Sequence, residues 1–182
     1  MFIKYIFLLL ITFNTTHAFA NNKKNYLTNQ TTIDILEKNF TTFKLVGEAK
    51  YTYFLLDIYD AKLISETGNI EKNKFALILI YNRDISKENV VEETIKQIQI
   101  QKDLNEQGLK ELDALLNKAF REIKKNDIFV GVKDQNTAIF YFNNEKVFET
   151  KDIEFIDLFF NIWLRKNSQN PEFTKTLLGQ TN

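Results

Sequence analysis

The sequence predicts an α+β domain in which helices pack on one antiparallel sheet, and three observations carry that prediction. Phe75–Tyr81 is a continuous apolar run of strand length, the pattern of a central strand covered on both faces. A segment after it places Leu109, Leu112, Leu115, Leu116, Ala119, Phe120 and Ile123 along one apolar stripe, an amphipathic helix. Strand-like segments then return before two more helices. Runs of strands alternating with runs of helices belong to α+β architecture.

Element by element, the chain reads as follows. Thr42–Glu48, Tyr51–Leu56 and Tyr59–Ser65 are rich in β-branched and aromatic residues and are expected as early strands. Ser86 caps a helix with Glu88 in its first turn and Val91, Ile95 and Ile98 on one face. After the Leu-rich helix come strands at Ile128–Val132, Thr137–Phe142 and Lys146–Thr150, the last two joined at Asn143-Asn144, a turn signal. Asp152 caps an aromatic helix through Phe155, Ile156, Phe159, Phe160 and Trp163. Asn170-Pro171 opens a final helix, which Gly179 ends.

The first twenty residues differ from the rest. Lys4 precedes the apolar run Tyr5–Phe13, and Ala18-Phe19-Ala20 puts small residues where a signal peptidase reads. Residues 1–20 are therefore expected to be a signal peptide, cut after Ala20, with export to the periplasm. The run is too short for the roughly 20 apolar residues of a membrane span, and no later segment is long and apolar enough. Residues 21–41 read as a polar spacer and lead-in, and residues 42–182 as one domain without repeats or linkers.

Composition removes several chemistries. The chain has 182 residues, 24 Lys+Arg against 24 Asp+Glu, one His, one Met and no Cys. Balanced charge argues against nucleic acid, whose binding rests on clustered cations. His17 and Met1 leave with the signal peptide. Ser-His-Asp and Cys-His sites, His/Cys zinc sites and haem ligation are then excluded, and no cofactor or metal is expected. Without disulfides the exported domain must stand on its apolar core, to which the Phe residues left after cleavage contribute heavily.

An ordered set of segments resembles a known family: Leu45-Val46-Gly47-Glu48-Ala49, Ile58-Tyr59-Asp60-Ala61-Lys62-Leu63, Tyr81-Asn82-Arg83-Asp84-Ile85, Ile139-Phe140-Tyr141-Phe142-Asn143, Phe159-Phe160-Asn161-Ile162-Trp163-Leu164 and Leu177-Leu178-Gly179. Together they resemble the bacterial, exported branch of the chalcone isomerase-like family, over about residues 42–179. The resemblance implies an open-faced β-sandwich whose large antiparallel sheet is covered by helices. It does not carry the reaction with it. In the plant enzymes an Arg follows the small-residue turn of the first strand, and Tyr and Thr hydroxyls hold water at the reacting oxygen. The corresponding run here is Gly47-Glu48-Ala49-Lys50-Tyr51, with no Arg in it.

Three readings of function follow. In the first, the domain is non-catalytic and binds a fatty acid or other small apolar ligand, as related members of the fold do with an Arg and a Tyr at the carboxylate. Its candidate residues are Lys50, Tyr51, Tyr59, Tyr81 and Arg83. Lys50 and Tyr51 fall on opposite strand faces, so one of them at most meets a pocket. Arg83 follows the central strand two residues after Tyr81, and the competing reading pairs it with Asp84 or Asp60 at the surface. Arg121 and Arg165 read as ordinary solvated charges. In the second, Glu48, Asp57 and Asp60 form a carboxylate site for acid/base work, against the simpler reading of exposed strand residues. In the third, the aromatic segment Phe155–Leu164 meets a partner or membrane surface, against burial on the sheet.

Overall fold

A computed structural model describes residues 29–71 and 73–180, and the expected signal peptide lies outside the described residues. Six strands, β1 (Lys44–Tyr53), β2 (Leu56–Ser65), β3 (Lys74–Tyr81), β4 (Ile128–Asp134), β5 (Thr137–Phe142) and β6 (Glu145–Thr150), form one sheet. Their spatial order is their chain order, and every neighbouring pair is antiparallel. Around it lie α1 (Gln30–Asn39), α2 (Lys87–Gln99), α3 (Glu106–Ala119), α4 (Ile153–Leu164) and α5 (Pro171–Leu177). The α+β architecture expected from the sequence is the one observed.

Strand periodicity sorts the apolar run of β3 into two cores. Phe75, Leu77, Leu79 and Tyr81 face the larger one, beneath α2–α5. Ala76 and Ile78 face the other way. β4 does the same, with Phe129 on the helix side and Ile128, Val130 and Val132 behind. Gly131 leaves room for the ring of Phe160, whose Cε1 would lie 3.0 Å from a β-carbon placed there. Phe155, Phe159 and Trp163 are buried, so the aromatic face of α4 is core and not a partner surface. Each cap read from the sequence is made: Ser86 accepts from Asn89 N–H, Asp152 from Phe155 N–H and Asn170 from Phe173 N–H.

The second face holds the largest departure from the sequence reading. Residues 30–39, within the stretch that reads as spacer and lead-in, are helix α1, opened by Asn29, whose side chain accepts from Thr32 N–H at 3.4 Å. Ile33, Leu36 and Phe40 recur at i, i+3 and i+7 and, with Ile35 and Phe43, close over Ile64, Ala76, Ile78 and Val130. The demand for cover on both faces of β3 was legible. The segment supplying it was hidden by its short length and polar neighbours.

Two boundaries also move. The first two strand-like stretches are one strand, β1, and the hairpin turn falls at Phe54-Leu55. The Leu-rich helix stops at Ala119. Ile123 instead pairs with Ile85 in an isolated bridge, each N–H to the other's carbonyl at 3.0 Å. That bridge fixes the segment leaving β3.

Candidate functional site

Register decides which candidate residues meet. Tyr51 lies opposite Tyr59, and Tyr59 opposite Tyr81, so three phenols form a row across β1, β2 and β3. All three pack on the helix side of the sheet. Tyr51 and Tyr59 stack with centroids 5.0 Å apart, and Tyr59 meets Tyr81 edge-on at 5.8 Å. Phe173 of α5 presents its ring edge-on to Tyr51 and Tyr59 at 5.9 and 6.3 Å. From α4, Trp163 donates its indole N–H to the Tyr59 hydroxyl at 2.9 Å. The ends of the two helices are tied by Thr174, whose hydroxyl donates to the Trp163 carbonyl at 2.9 Å and touches the Ser168 hydroxyl at 2.7 Å.

The chemistry of the row is that of neutral donors. Burial pushes the Tyr59 and Tyr81 phenols well above their ordinary value, because an interior of low polarity disfavours phenolate. Tyr51 shifts the same way, through burial first and then the charge of Glu93 on α2. None of the three is poised as a base near neutrality. Tyr59 accepts from Trp163, and its own O–H remains to be donated.

Lys50 does not join the row. It lies on the other strand face, exposed, with its ammonium 3.0 Å from Asp57 and 3.9 Å from Asp60. The hydrogen bond to Asp57 holds its pKa above the ordinary value, and the same bond, helped by Thr52, holds Asp57 low. A lowered carboxylate is the reverse of what an acid/base pair needs. Glu48 pairs with Lys62 at 3.0 Å, and Asp60 accepts from Asn82 at 3.0 Å. The carboxylate site proposed for Glu48, Asp57 and Asp60 therefore does not form: each meets a donor, not another acid.

Arg83 follows β3 and is half-buried. Neither expected surface partner is free for it. Asp84 accepts from Lys125 N–H at 2.8 Å and Lys124 Nζ at 3.3 Å, and Asp60 is held by Asn82 and Lys50. Among the described residues no carboxylate lies within ion-pair distance of the Arg83 guanidinium.

The other two arginines are less ordinary than they read. Arg121 caps α3, donating to the carbonyls of Lys118 and Phe120 at 2.6 and 2.9 Å. Arg165 sits at the end of α4 with Nε and Nη2 buried and no acceptor on them. With Ile100, Gln101, Lys166 and Asn167 it lines a cleft of about 440 Å³. Nothing in the sequence pattern separates Arg165 from a solvated charge. Its burial follows from the packing of α2 against α4.

No group of His, Cys, Asp and Glu among the described residues is placed to hold a metal ion. No described helix is long and apolar enough to cross a membrane.

No family model matches the sequence. An uncharacterized protein of Haemophilus influenzae is 30% identical over 148 residues, spanning 78% of this chain and 71% of that protein. The chain belongs to the family of that protein. Among solved structures, the Arabidopsis thaliana fatty-acid binding protein superposes with a TM-score of 0.59, covering 77% of this chain and 88% of that one at 10% identity. The family member described here therefore has the chalcone isomerase-like fold. At that identity the likeness is one of fold.

Proposed function

We propose that the protein is an exported, non-catalytic chalcone isomerase-like domain that binds a small hydrophobic ligand with an acidic head, of which a fatty acid is the type. The observation that carries this reading is the phenol row across β1, β2 and β3, with Arg83 two residues past Tyr81 in the chain. Neutral, buried O–H donors and a half-buried guanidinium without a carboxylate partner suit a carboxylate that arrives with its own apolar chain. The Arabidopsis protein of the same fold is a fatty-acid binding protein, which supports the ligand class. The absence of any Arg in Gly47–Tyr51, and of a base among the tyrosines, supports binding without turnover. In this reading the ligand enters past Tyr51, which keeps part of its ring at the surface.

Native mass spectrometry of the protein purified from its own cells, followed by solvent extraction, tests the proposal. The expected result is an apolar acid at one per chain, lost in Arg83→Gln and weakened in Tyr59→Phe. A protein that carries nothing and whose melting temperature is unmoved by C12–C18 fatty acids would overturn it. So would turnover of a chalcone that disappears in Tyr51→Phe.

A further inference from the structure

The hairpin joining β1 to β2 ends in the wrong residues for its backbone. Tyr53 pairs with Leu56, so the loop is the two residues Phe54 and Leu55, with φ of 44° and 65°. A two-residue turn with both residues left-handed favours Asn-Gly, because a β-carbon crowds the backbone there. In the β5–β6 turn the rule is kept better, because an Asn, Asn143, takes the left-handed position. At this tip the chain instead carries two large apolar side chains and buries neither. Phe54 is 80% and Leu55 97% exposed, flanked by Tyr53 at 56% and Leu56 at 48%. A strained, solvent-facing pair of this kind contributes nothing to the fold that a smaller polar pair would not improve.

We propose that this tip is a wedge that enters the interface of a zwitterionic lipid bilayer. Its polarity changes along the hairpin as a bilayer's does along its normal. The apex is Phe54 and Leu55. The shoulder holds the phenol of Tyr53, packed edge-on to Phe54 at 4.5 Å, an amphipathic aromatic of the kind enriched at membrane interfaces. Behind them stands Asp57, which accepts from Lys50 and from Thr52, each at 3.0 Å. Charge selects the headgroup. Lys50 is paired with Asp57 and Asp60, and Lys96 of α2, near enough to feel Tyr53, is paired with Glu92 at 2.9 Å. Carboxylates outnumber cations in this collar, so it gains nothing from an anionic surface and relies on apolar insertion. The choice of a bilayer over a protein socket rests in part on the acyl-binding reading, because a protein that carries such ligands must meet the surface that dissolves them.

The test is co-sedimentation of the mature protein with vesicles of phosphatidylethanolamine and phosphatidylcholine, beside the double variant F54N/L55G. The variant suits the turn, so its melting temperature is expected to rise by about 2–4 °C while bound protein falls at least tenfold. Phosphatidylglycerol added to the vesicles is expected to leave wild-type binding unchanged or weaker. Binding that survives F54N/L55G, that requires anionic lipid, or that is absent in the wild type overturns the proposal. Loss of self-association in the variant, with no vesicle binding by either protein, overturns it in favour of a second copy as occupant. Native mass spectrometry of F54N/L55G separates the two proposals: ligand retained with docking lost is the expected pattern, and an empty wild type speaks against the acyl-binding reading alone.

Discussion

Trp163 and Tyr59, 104 residues apart in the chain, share a hydrogen bond of 2.9 Å that fastens α4 to the second strand of the sheet. The indole has one polar atom and the phenol beneath it is the group that satisfies it. The bond therefore fixes both the seat of the helix and the orientation of the central tyrosine in the row.

Tyr59→Phe keeps the ring but leaves the Trp163 N–H without its acceptor. The expected cost is about 1–3 kcal/mol, because a buried donor without a partner forfeits its hydration. Urea unfolding followed by the fluorescence of Trp163 measures it. Tyr51→Phe, whose hydroxyl donates to no described residue, is expected to change stability by less than about 0.5 kcal/mol.

Alkaline pH is expected to unfold the protein earlier than its charge balance suggests. Tyr59 and Tyr81 have folded pKa values raised above the ordinary 10.0. Between the unfolded and the folded value the unfolded chain has lost protons that the native one keeps. Stability is thus complete below about pH 10 and declines as pH rises from there toward the folded values. Phenolate absorbance should appear together with the loss of native fluorescence, and Tyr81→Phe should flatten the decline.

Gly47 and Gly179 are in contact through their backbones. A β-carbon on Gly47 would strike the Thr176 carbonyl and come within 2.6 Å of the Leu177 carbonyl, and one on Gly179 would strike the Val46 carbonyl. Gly179 also has φ of 67°. Gly47→Ala is expected to cost about 3 kcal/mol, since backbone, not a mobile side chain, must give way. The midpoint of denaturant unfolding is the measure, and loss of α5 from protection against hydrogen exchange should accompany it.

Lys133 on β4 is buried and bonded to Asp157 of α4 at 2.6 Å. Asp157→Asn leaves the buried ammonium without its counter-charge and is expected to cost about 2 kcal/mol, reduced because Asp157 itself is half-exposed. Lys133→Met, which removes the charge and keeps the stem, is expected to be near neutral. Equal losses in the two variants would mean that the pair, not the stranded charge, holds the energy.

Much of this fold is legible in the letters because the local signals are strong and agree. Caps at Ser86, Asp152 and Asn170, the turn at Asn143 and the continuous apolar run of β3 each need only a few neighbouring residues. The tyrosine row is half legible: Tyr51, Tyr59 and Tyr81 can be named singly, but their meeting depends on register across three strands. Lys50 and Tyr51 were legible as opposed, and Tyr51 is the one that turns inward. What could not be read is long-range. The ion-pair partners that Arg83 lacks are taken by Lys50, Asn82, Lys124 and Lys125, and the burial of Arg165 is set by helix packing. The tip at Phe54-Leu55 reads as strand because its residues are β-formers, and only the pairing of Tyr53 with Leu56 makes it a turn.

Helix α1 comes first in the described chain, yet the strands it covers are made far later, up to Tyr141 of β5. A nascent chain must therefore hold this segment in reserve until most of the sheet exists. Cleavage between α1 and β1 followed by departure of α1 would bare Ile64, Ala76, Ile78 and Val130 to water. The few residues joining α1 to β1 therefore tether the cover of this face to the sheet, and a cut there turns a tethered lid on the second core into one that can diffuse away.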